Sequence, residues 1–274
     1  MRSKLSQLLA AILSLLLGVS MHGGDTLRVG GSGVALGGLR VLAKAYERRH
    51  PGLSILVLPS IGSTGVIRAV QDGKLDLGCS ARPLQPEERA QGLNEIPWVT
   101  TAFVFATHAT TALEALTLAE VEAIYAGRRT TWRDGRPIRL VLRPRSDTSF
   151  AYLAETTPGM RAALAQSQAR QGVAVGVTDQ EALAELERTP GSFGTTVLGL
   201  VLTEDRRVQI LTLNGKKPTE PGYPLALMVN LIHRPDASAA ALGFLGFLRS
   251  KEGLDLALRS GYRPVPAAPL DGKS

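Results

Sequence analysis

Short apolar runs alternate with amphipathic segments in the first third of the chain. Residues 27–30 predict a strand, and residues 36–49 carry apolar side chains at helical spacing. Residues 53–58 predict a second, nearly all-apolar strand, a further helix runs on from Val66, and residues 75–79 predict a third strand. This order predicts a βαβαβ unit, with a parallel sheet whose strands are covered on both faces.

The rest of the chain predicts another α/β unit, bounded by two long apolar strands over residues 97–107 and 224–233. The remaining predicted elements are helices over residues 117–125, 150–154, 159–170, 179–187, 237–249 and 251–258, and strands over residues 138–142, 195–202 and 208–213. Because the two long strands are suited to cross between lobes, we predict a two-lobed α/β fold with a ligand cleft between the lobes.

The crossing strands also predict how the chain is divided. Residues 25–105 and 225–274 would form one lobe, and residues 106–224 would form the other. Ligands in such folds bind at the carboxyl ends of strands and the N-termini of helices, so the loops at those places are the candidate site.

Residues 1–20 have the pattern of a secretory signal peptide. Arg2 and Lys4 precede an apolar run over residues 8–17, and small residues follow up to Ser20, near which we predict cleavage. The run is about ten residues, too short for a bilayer, which needs about 20. An uncleaved anchor or a core helix is the alternative interpretation. No cysteine follows the run, so we expect a periplasmic protein that is not a lipoprotein.

Composition narrows the class of protein. Of 274 residues, 44% are hydrophobic and 20% charged, which is typical of a folded globular chain and not of disorder. The single cysteine, Cys79, excludes an internal disulfide and a cysteine-based metal cluster, and we expect it buried in a strand. The net charge of +7 stays positive without Arg2 and Lys4. Export, and the lack of an aromatic ladder beside the basic residues, argue against nucleic acid as the partner.

Three predicted strands end in loops of glycine and hydroxyl residues that begin a helix. They cover residues 31–33, 62–65 and 146–149. Unpaired backbone N–H groups and the helix dipole make such a place an anion site without a metal. Each loop alone also fits an ordinary N-cap. Three in this order, close to Arg82 and Arg143, favour binding of a small oxyanion.

These loops and several further motifs carry a resemblance to a known family. The motifs are Gly31-Ser32-Gly33, Ile61-Gly62-Ser63-Thr64-Gly65, Asp76-Leu77-Gly78-Cys79-Ser80, Ile124-Tyr125-Ala126-Gly127 with Trp132, and Arg143 followed by Ser146-Asp147-Thr148-Ser149-Phe150. In this order they resemble the phosphate-binding proteins of ABC importers, over essentially the whole mature chain. The resemblance implies the type II periplasmic-binding-protein fold, inorganic phosphate as ligand and a membrane permease as partner. We further expect a monomer without a cofactor.

The resemblance maps the family's phosphate donors to Ser32 or its backbone neighbours, Ser63, Arg143, Ser146 and Thr148. Together with the residues that the loops and arginines themselves indicate, we predict a ligand-binding set of Ser32, Gly33, Ser63, Thr64, Ser80, Arg82, Arg143, Ser146, Asp147 and Thr148. The sequence departs from the family at Ala81, where well-known members have an aspartate that accepts the proton of hydrogen phosphate. Such an acceptor rejects sulfate, so here discrimination would come from another residue such as Asp147, or sulfate or another oxyanion would be the ligand.

Enzymatic readings find less support in the sequence. The glycine-serine loops do not match the spacing of a serine-hydrolase elbow, and no metal-ligand motif is present. We therefore predict a binding protein and not an enzyme. A phosphatase on the same scaffold, or a sensor that does not take part in transport, stay open as alternatives.

Overall fold

The computed structural model describes residues 25–112 and 115–265. The predicted signal peptide lies outside the described residues. The strands are β1 (Asp25–Gly31), β2 (Leu53–Val57), β3 (Leu77–Ser80), β4 (Asn94–His108), β5 (Ala115–Leu116), β6 (Arg139–Leu142), β7 (Ala174–Val175), β8 (Ser192–Val197), β9 (Val208–Ile210), β10 (Thr212–Leu213), β11 (Ala226–His233) and β12 (Tyr262–Pro264). The helices are α1 (Gly33–Glu47), α2 (Gly62–Gln71), α3 (Pro86–Ala90), α4 (Leu118–Tyr125), α5 (Thr148–Ala154), α6 (Met160–Gln168), α7 (Asp179–Arg188), α8 (Leu198–Thr203), α9 (Ala239–Arg249) and α10 (Lys251–Arg259).

The described strands form one ten-stranded mixed sheet and a small two-stranded sheet. The large sheet runs in the order β2-β1-β3-β11-β4-β8-β6-β7, with β12 and β9 also paired to β4. Strands β1, β2 and β3 are parallel to one another, as are β6, β7 and β8. The predicted mixed α/β fold is confirmed, because helices follow the parallel strands in both halves.

Strand β4 joins the two halves of the sheet. Its first part pairs with β11 and β12, and its second part pairs with β8 and β9. Pro97 lies within this strand and has no N–H to donate, and the register with β11 shifts beside its partner, Asn230. The long apolar strand predicted here is confirmed, and it carries the chain from one half-sheet to the other.

The core is continuous across both halves. Helix α1 buries Leu36, Leu39 and Leu42 against the first half-sheet, while Phe105 and Phe193 stack in the second with ring centroids 5.6 Å apart. Burial of apolar area at about 25 cal/mol per Å² is the main stabilising contribution in such a core. Cys79 is fully buried, as predicted, and burial raises the pKa of its thiol to about 12.

Two predictions about secondary structure are wrong. Strand β2 is not covered on both faces: it is the edge of the sheet, and Leu56 is 50% exposed. The strand predicted over residues 195–202 ends at Val197, and residues 198–203 form helix α8. An apolar run this short has no period that separates a strand from a buried helix. Within the described ranges no helix combines the length and the apolar character needed to cross a membrane.

Candidate anion-binding cleft

One wall of the cleft is the beginning of helix α2. The chain turns into it through Gly62, whose φ of +70° lies in the region that favours glycine. The residue before the helix, Ile61, has an apolar side chain, so the first N–H groups of α2 are left for water or a ligand. The hydroxyl of Ser63 accepts a 3.0 Å hydrogen bond from the N–H of Ala81, which fixes it against β3.

The opposite wall follows strand β6. Asp147 caps helix α5 by accepting a 2.9 Å hydrogen bond from the N–H of Ser149. The next residue, Thr148, donates a 3.2 Å hydrogen bond to the hydroxyl of Ser63 on the first wall. Two of the three hydroxyl loops predicted from the sequence therefore meet across the cleft.

The cleft between these walls has a volume of about 400 Å³. Its lining is made of Ser60, Ile61, Gly62, Ser63, Thr64, Arg143, Pro144, Ser146, Asp147, Thr148, Val177 and Thr178. A second opening, of about 350 Å³, lies on the other side of Thr148 and adds Arg82, Arg145 and apolar side chains such as Tyr152 and Leu227.

Arg143 is the buried cation of the cleft, with 5% of its side chain exposed. Its Nε and Nη2 atoms donate to the carboxylate of Asp147 at 3.3 and 2.8 Å, and its Nη1 atom donates to the carbonyl of Gly176 at 2.6 Å. The same Nη2 atom lies 3.5 Å from Oδ2 of Asp179. The guanidinium predicted to bind the ligand thus has two carboxylates of the chain as partners.

Asp179 is the first residue of helix α7 and is buried, with 8% of its side chain exposed. Burial raises the pKa of this carboxyl to about 6, against the opposing effect of Arg143, because a charge is costly away from water. The nearby charge of Asp147 raises the pKa further. The backbone N–H of Val34, in the first turn of α1, lies near this carboxylate and opposes the rise in its pKa.

The remaining predicted site residues lie at the margin. Ser32, Gly33 and Ser80 are not among the described residues that line either opening. The hydroxyl of Ser80 donates to the carbonyl of Arg82 at 2.6 Å. Arg82 binds Glu88 through both terminal nitrogens, each at 2.7 Å, and reaches Thr64 Oγ1 at 3.2 Å.

The sequence reasoning missed the start of helix α7 as part of the cleft. Val177 and Thr178 line it, and Asp179 lies behind them against Arg143. A signal was present, because Thr178 and Glu181 form a capping box, the usual mark of a helix beginning. Its distance along the chain from the other loops gave no reason to join it to them.

The cleft has the chemistry of an anion site. Hydroxyls of Ser63, Thr64, Ser146 and Thr148 and the exposed end of α2 supply hydrogen-bond donors, and Arg143 supplies positive charge. Residues 25–112 and 115–265 contain no cluster of three or more His, Cys, Asp or Glu side chains that could hold a metal ion.

Comparison with known proteins identifies the family. Residues 20–252 match the family model of the PBP superfamily domain. The chain therefore belongs to this superfamily of periplasmic binding proteins, with the type II fold.

Solved structures agree on that fold. A Clostridium perfringens protein assigned as a phosphate ABC transporter substrate-binding protein, solved with bound phosphate, has a TM-score of 0.76 at 20% identity, covering 88% of this chain and 100% of that one. An ABC-type phosphate transport receptor from Vibrio cholerae has a TM-score of 0.61 at 20% identity, covering 86% and 99%. The periplasmic molybdate-binding protein of Azotobacter vinelandii has a TM-score of 0.65 at 16% identity, covering 88% and 100%. No curated protein sequence matches the chain.

Proposed function

We propose that the protein is an exported solute-binding protein that captures phosphate in the interlobe cleft and delivers it to the permease of an ABC importer. The observation that carries this proposal is the pair of hydroxyl loops facing each other across one cleft. Ser63 and Thr64, at the start of α2, stand opposite Ser146 and Thr148, with Arg143 beneath them. Hydroxyls and free helix N–H groups around one guanidinium suit a tetrahedral oxyanion.

Binding at this cleft is energetically sufficient for a solute-binding protein. Four to six hydrogen bonds to a charged ligand, at roughly 1.5–3 kcal/mol each, total about 6–18 kcal/mol. A micromolar dissociation constant needs about 8 kcal/mol after the cost of association and closure. A binding protein needs no covalent chemistry, and we propose none for these side chains.

The choice of phosphate over other oxyanions is the finer part of the proposal. Phosphate transport proteins in Clostridium and Vibrio share the fold, but so does a molybdate-binding protein from Azotobacter. Residue 81, where the resemblance leads us to expect an acceptor for the proton of phosphate, is alanine. Asp147 is the carboxylate that lines the cleft in its place, so we propose it as the acceptor that favours a protonated oxyanion.

The setting of the proposed function follows from the same reasoning. We propose that the signal peptide is removed near Ser20, that the protein acts as a periplasmic monomer, and that residues 25–105 with 225–274 close against residues 106–224 around the ligand. A hinge motion of this kind would let a permease distinguish the loaded protein. The passage of β4 between the half-sheets supports that division.

Calorimetric titration of the purified protein with phosphate, sulfate and molybdate near neutral pH tests the function. We expect phosphate to bind most tightly, and sulfate and molybdate to bind measurably but more weakly. Sulfate or molybdate binding as tightly as phosphate would move the protein to another oxyanion, and binding of none of the three would overturn the proposal.

A matched pair of serine variants places the ligand. Ser63→Ala removes a hydroxyl from the cleft and should weaken phosphate binding by about tenfold or more. Ser238→Ala removes the hydroxyl that caps α9, outside the cleft lining, and should leave affinity unchanged. Equal affinities in the two variants would remove Ser63 from the site.

A further inference from the structure

The beginning of helix α1 is covered by side chains from the start of α7. A Cβ atom added to Gly33 would lie 2.4 Å from Asp179 Oδ2 and 2.7 Å from Gln180 Oε1, so both oxygens pack directly on this glycine. The N–H of Val34 lies near the Asp179 carboxylate, and Gln180 Nε2 donates to the carbonyl of Gly33 at 3.3 Å. An internal carboxylate therefore occupies the place where an anion would meet this 15-residue helix.

The same carboxylate reduces what Arg143 can offer to a ligand. Three of the guanidinium's donors are already directed at Asp147 and Gly176, and the Asp179 oxygen lies 3.5 Å from Nη2. One buried positive charge thus faces two acidic side chains of the chain itself. An entering oxyanion competes with them for the same hydrogens, and a charged carboxylate that accepts no hydrogen from the oxyanion repels it.

The two carboxylates differ in how closely the chain ties their positions to that of Arg143. Asp147 is four residues away on the same loop and also caps α5, so it moves together with the guanidinium. Asp179 comes from a different segment and touches α1, which lies in the other half of the fold. Of the two, Asp179 is the one that can separate from its partners when the cleft opens or an anion enters.

We propose that Asp179 is an internal competitor for the oxyanion, a residue that sets the affinity of the cleft by occupying the α1 N-terminus and pairing with Arg143. The inference rests on the proposed function and deepens it, because it assigns to one residue the control of how tightly that site binds. An anion that binds both Arg143 and the N-terminus of α1 has to displace the Asp179 carboxylate.

Protonation would weaken this competition. The charged and titratable groups around Asp179 are Arg143, Asp147 and Tyr262, whose phenol lies near enough to sense the carboxylate charge. Burial raises the pKa of Asp179 to about 6, so the carboxylate becomes neutral as the pH falls from about 8 to about 5. Sulfate keeps its charge throughout that range and is therefore the suitable probe.

Two carboxylate-to-amide variants test the competition. Asp179→Asn keeps the shape and removes the charge, and we expect it to bind phosphate about tenfold or more tightly than the native protein near pH 7.5. Asp255→Asn makes the same change in net charge at a surface pair with Lys251 on α10, and we expect unchanged affinity. Both variants are titrated calorimetrically beside the native protein, after a thermal melt shows that each is folded.

The outcomes separate this inference from the proposed function. Tighter binding in Asp179→Asn alone supports the inference, including the case in which only this variant binds measurably. Unchanged or weaker binding in Asp179→Asn, with a native protein that binds phosphate, overturns the inference and leaves the function standing. If neither protein binds any oxyanion, the function fails and the inference fails with it.

A second measurement does not depend on a variant that folds. The affinity of the native protein for sulfate should rise steadily between about pH 8 and about pH 5, as Asp179 takes up a proton. An affinity for sulfate that stays constant or falls over that range would overturn the competition.

Discussion

Thr148 and Ser63 are joined by a 3.2 Å hydrogen bond in which the threonine hydroxyl is the donor. The first residue begins α5 and the second lies in the first turn of α2, so this contact connects the two walls of the cleft. Both hydroxyls face the space in which an oxyanion is proposed to bind, and an anion there would take the hydrogens that they now share.

We expect Thr148→Val to weaken phosphate binding by about tenfold or more, because it removes one donor to a charged ligand without changing the volume of the side chain much. Thr156→Val is the matched control, since its hydroxyl donates to the carbonyl of Leu153 just beyond the same helix. Titration of both variants with phosphate decides the point: equal affinities would show that the Thr148 hydroxyl is not a ligand.

A second prediction concerns the close packing of Asp179 on Gly33. Gly33→Ala places a methyl group within 2.7 Å of both Oδ2 and Cβ of Asp179, and should cost about 1–3 kcal/mol of unfolding free energy. In the Asp179→Gly background the same change should cost much less, because both of those atoms are gone and the remaining neighbour, Gln180 Oε1, is the end of a flexible side chain.

Gly246→Ala is the control for that cycle. Gly246 lies on the exposed side of α9 and an added Cβ would meet no described atom within 4 Å, so alanine there should stabilise the helix by up to about 1 kcal/mol. Urea unfolding of the native protein, the two single variants, the double variant and this control measures the coupling between Gly33 and Asp179. Additive costs of the Gly33 and Asp179 changes would contradict the packing described here.

The local pattern of apolar and polar residues predicted most of the helices and strands, because most of these elements follow that pattern. Strands β4 and β11 are long and mostly apolar, and the burial of most of their residues makes such runs recognisable. Helix α8 was missed because its sequence is equally apolar, and only its tertiary packing separates helix from strand. Gly199 lies so close to the Tyr262 ring that an added Cβ would come within 2.3 Å of it.

The sequence predicted only those parts of the site in which a single loop contains the hydrogen-bonding groups. The loops at Ser63 and Thr148 can be recognised in the sequence because they are rich in glycine and hydroxyl residues and follow predicted strands. The covering of Gly33 by Asp179 depends on a contact between segments far apart in the chain, which neither periodicity nor a motif expresses. The raised pKa of Asp179 likewise follows from burial, a property of the folded molecule.

Removing the buried cation should destabilise the protein in a pH-dependent way. Arg143→Ala leaves Asp179 buried without its positive partner, and we expect a loss of about 3–5 kcal/mol at neutral pH. Arg143 lowers the pKa of Asp179, so in the variant that pKa rises further and the carboxyl takes up a proton more readily. The loss should therefore be smaller near pH 5 than near pH 8, because a neutral carboxyl needs no partner.

Urea unfolding of native protein and variant at both pH values measures this difference. Lys251→Ala, which breaks an exposed pair with Asp255, should cost at most about 1 kcal/mol at either pH. A loss for Arg143→Ala that is the same at both pH values would mean that Asp179 does not respond to Arg143.

The Arg82–Glu88 pair should stabilise the loop beside the second opening, and this stabilisation should decrease as the pH falls. The hydrogen bonds from Arg82 hold the pKa of Glu88 below its usual value, so the stabilisation is present above about pH 4.3 and is lost as the pH falls through the lowered pKa. Glu88→Gln should therefore be less stable than native protein at pH 7, by at most about 1 kcal/mol for a pair that stays partly exposed, and equally stable near pH 3.

Glu87→Gln, one residue earlier on the exposed face of α3, is the matched control and should match native protein at both pH values. Guanidinium chloride screens ion pairs, so urea is the denaturant to use, and a Glu88→Gln deficit that persists at low pH would show that the amide disturbs the loop by some other means than the lost charge.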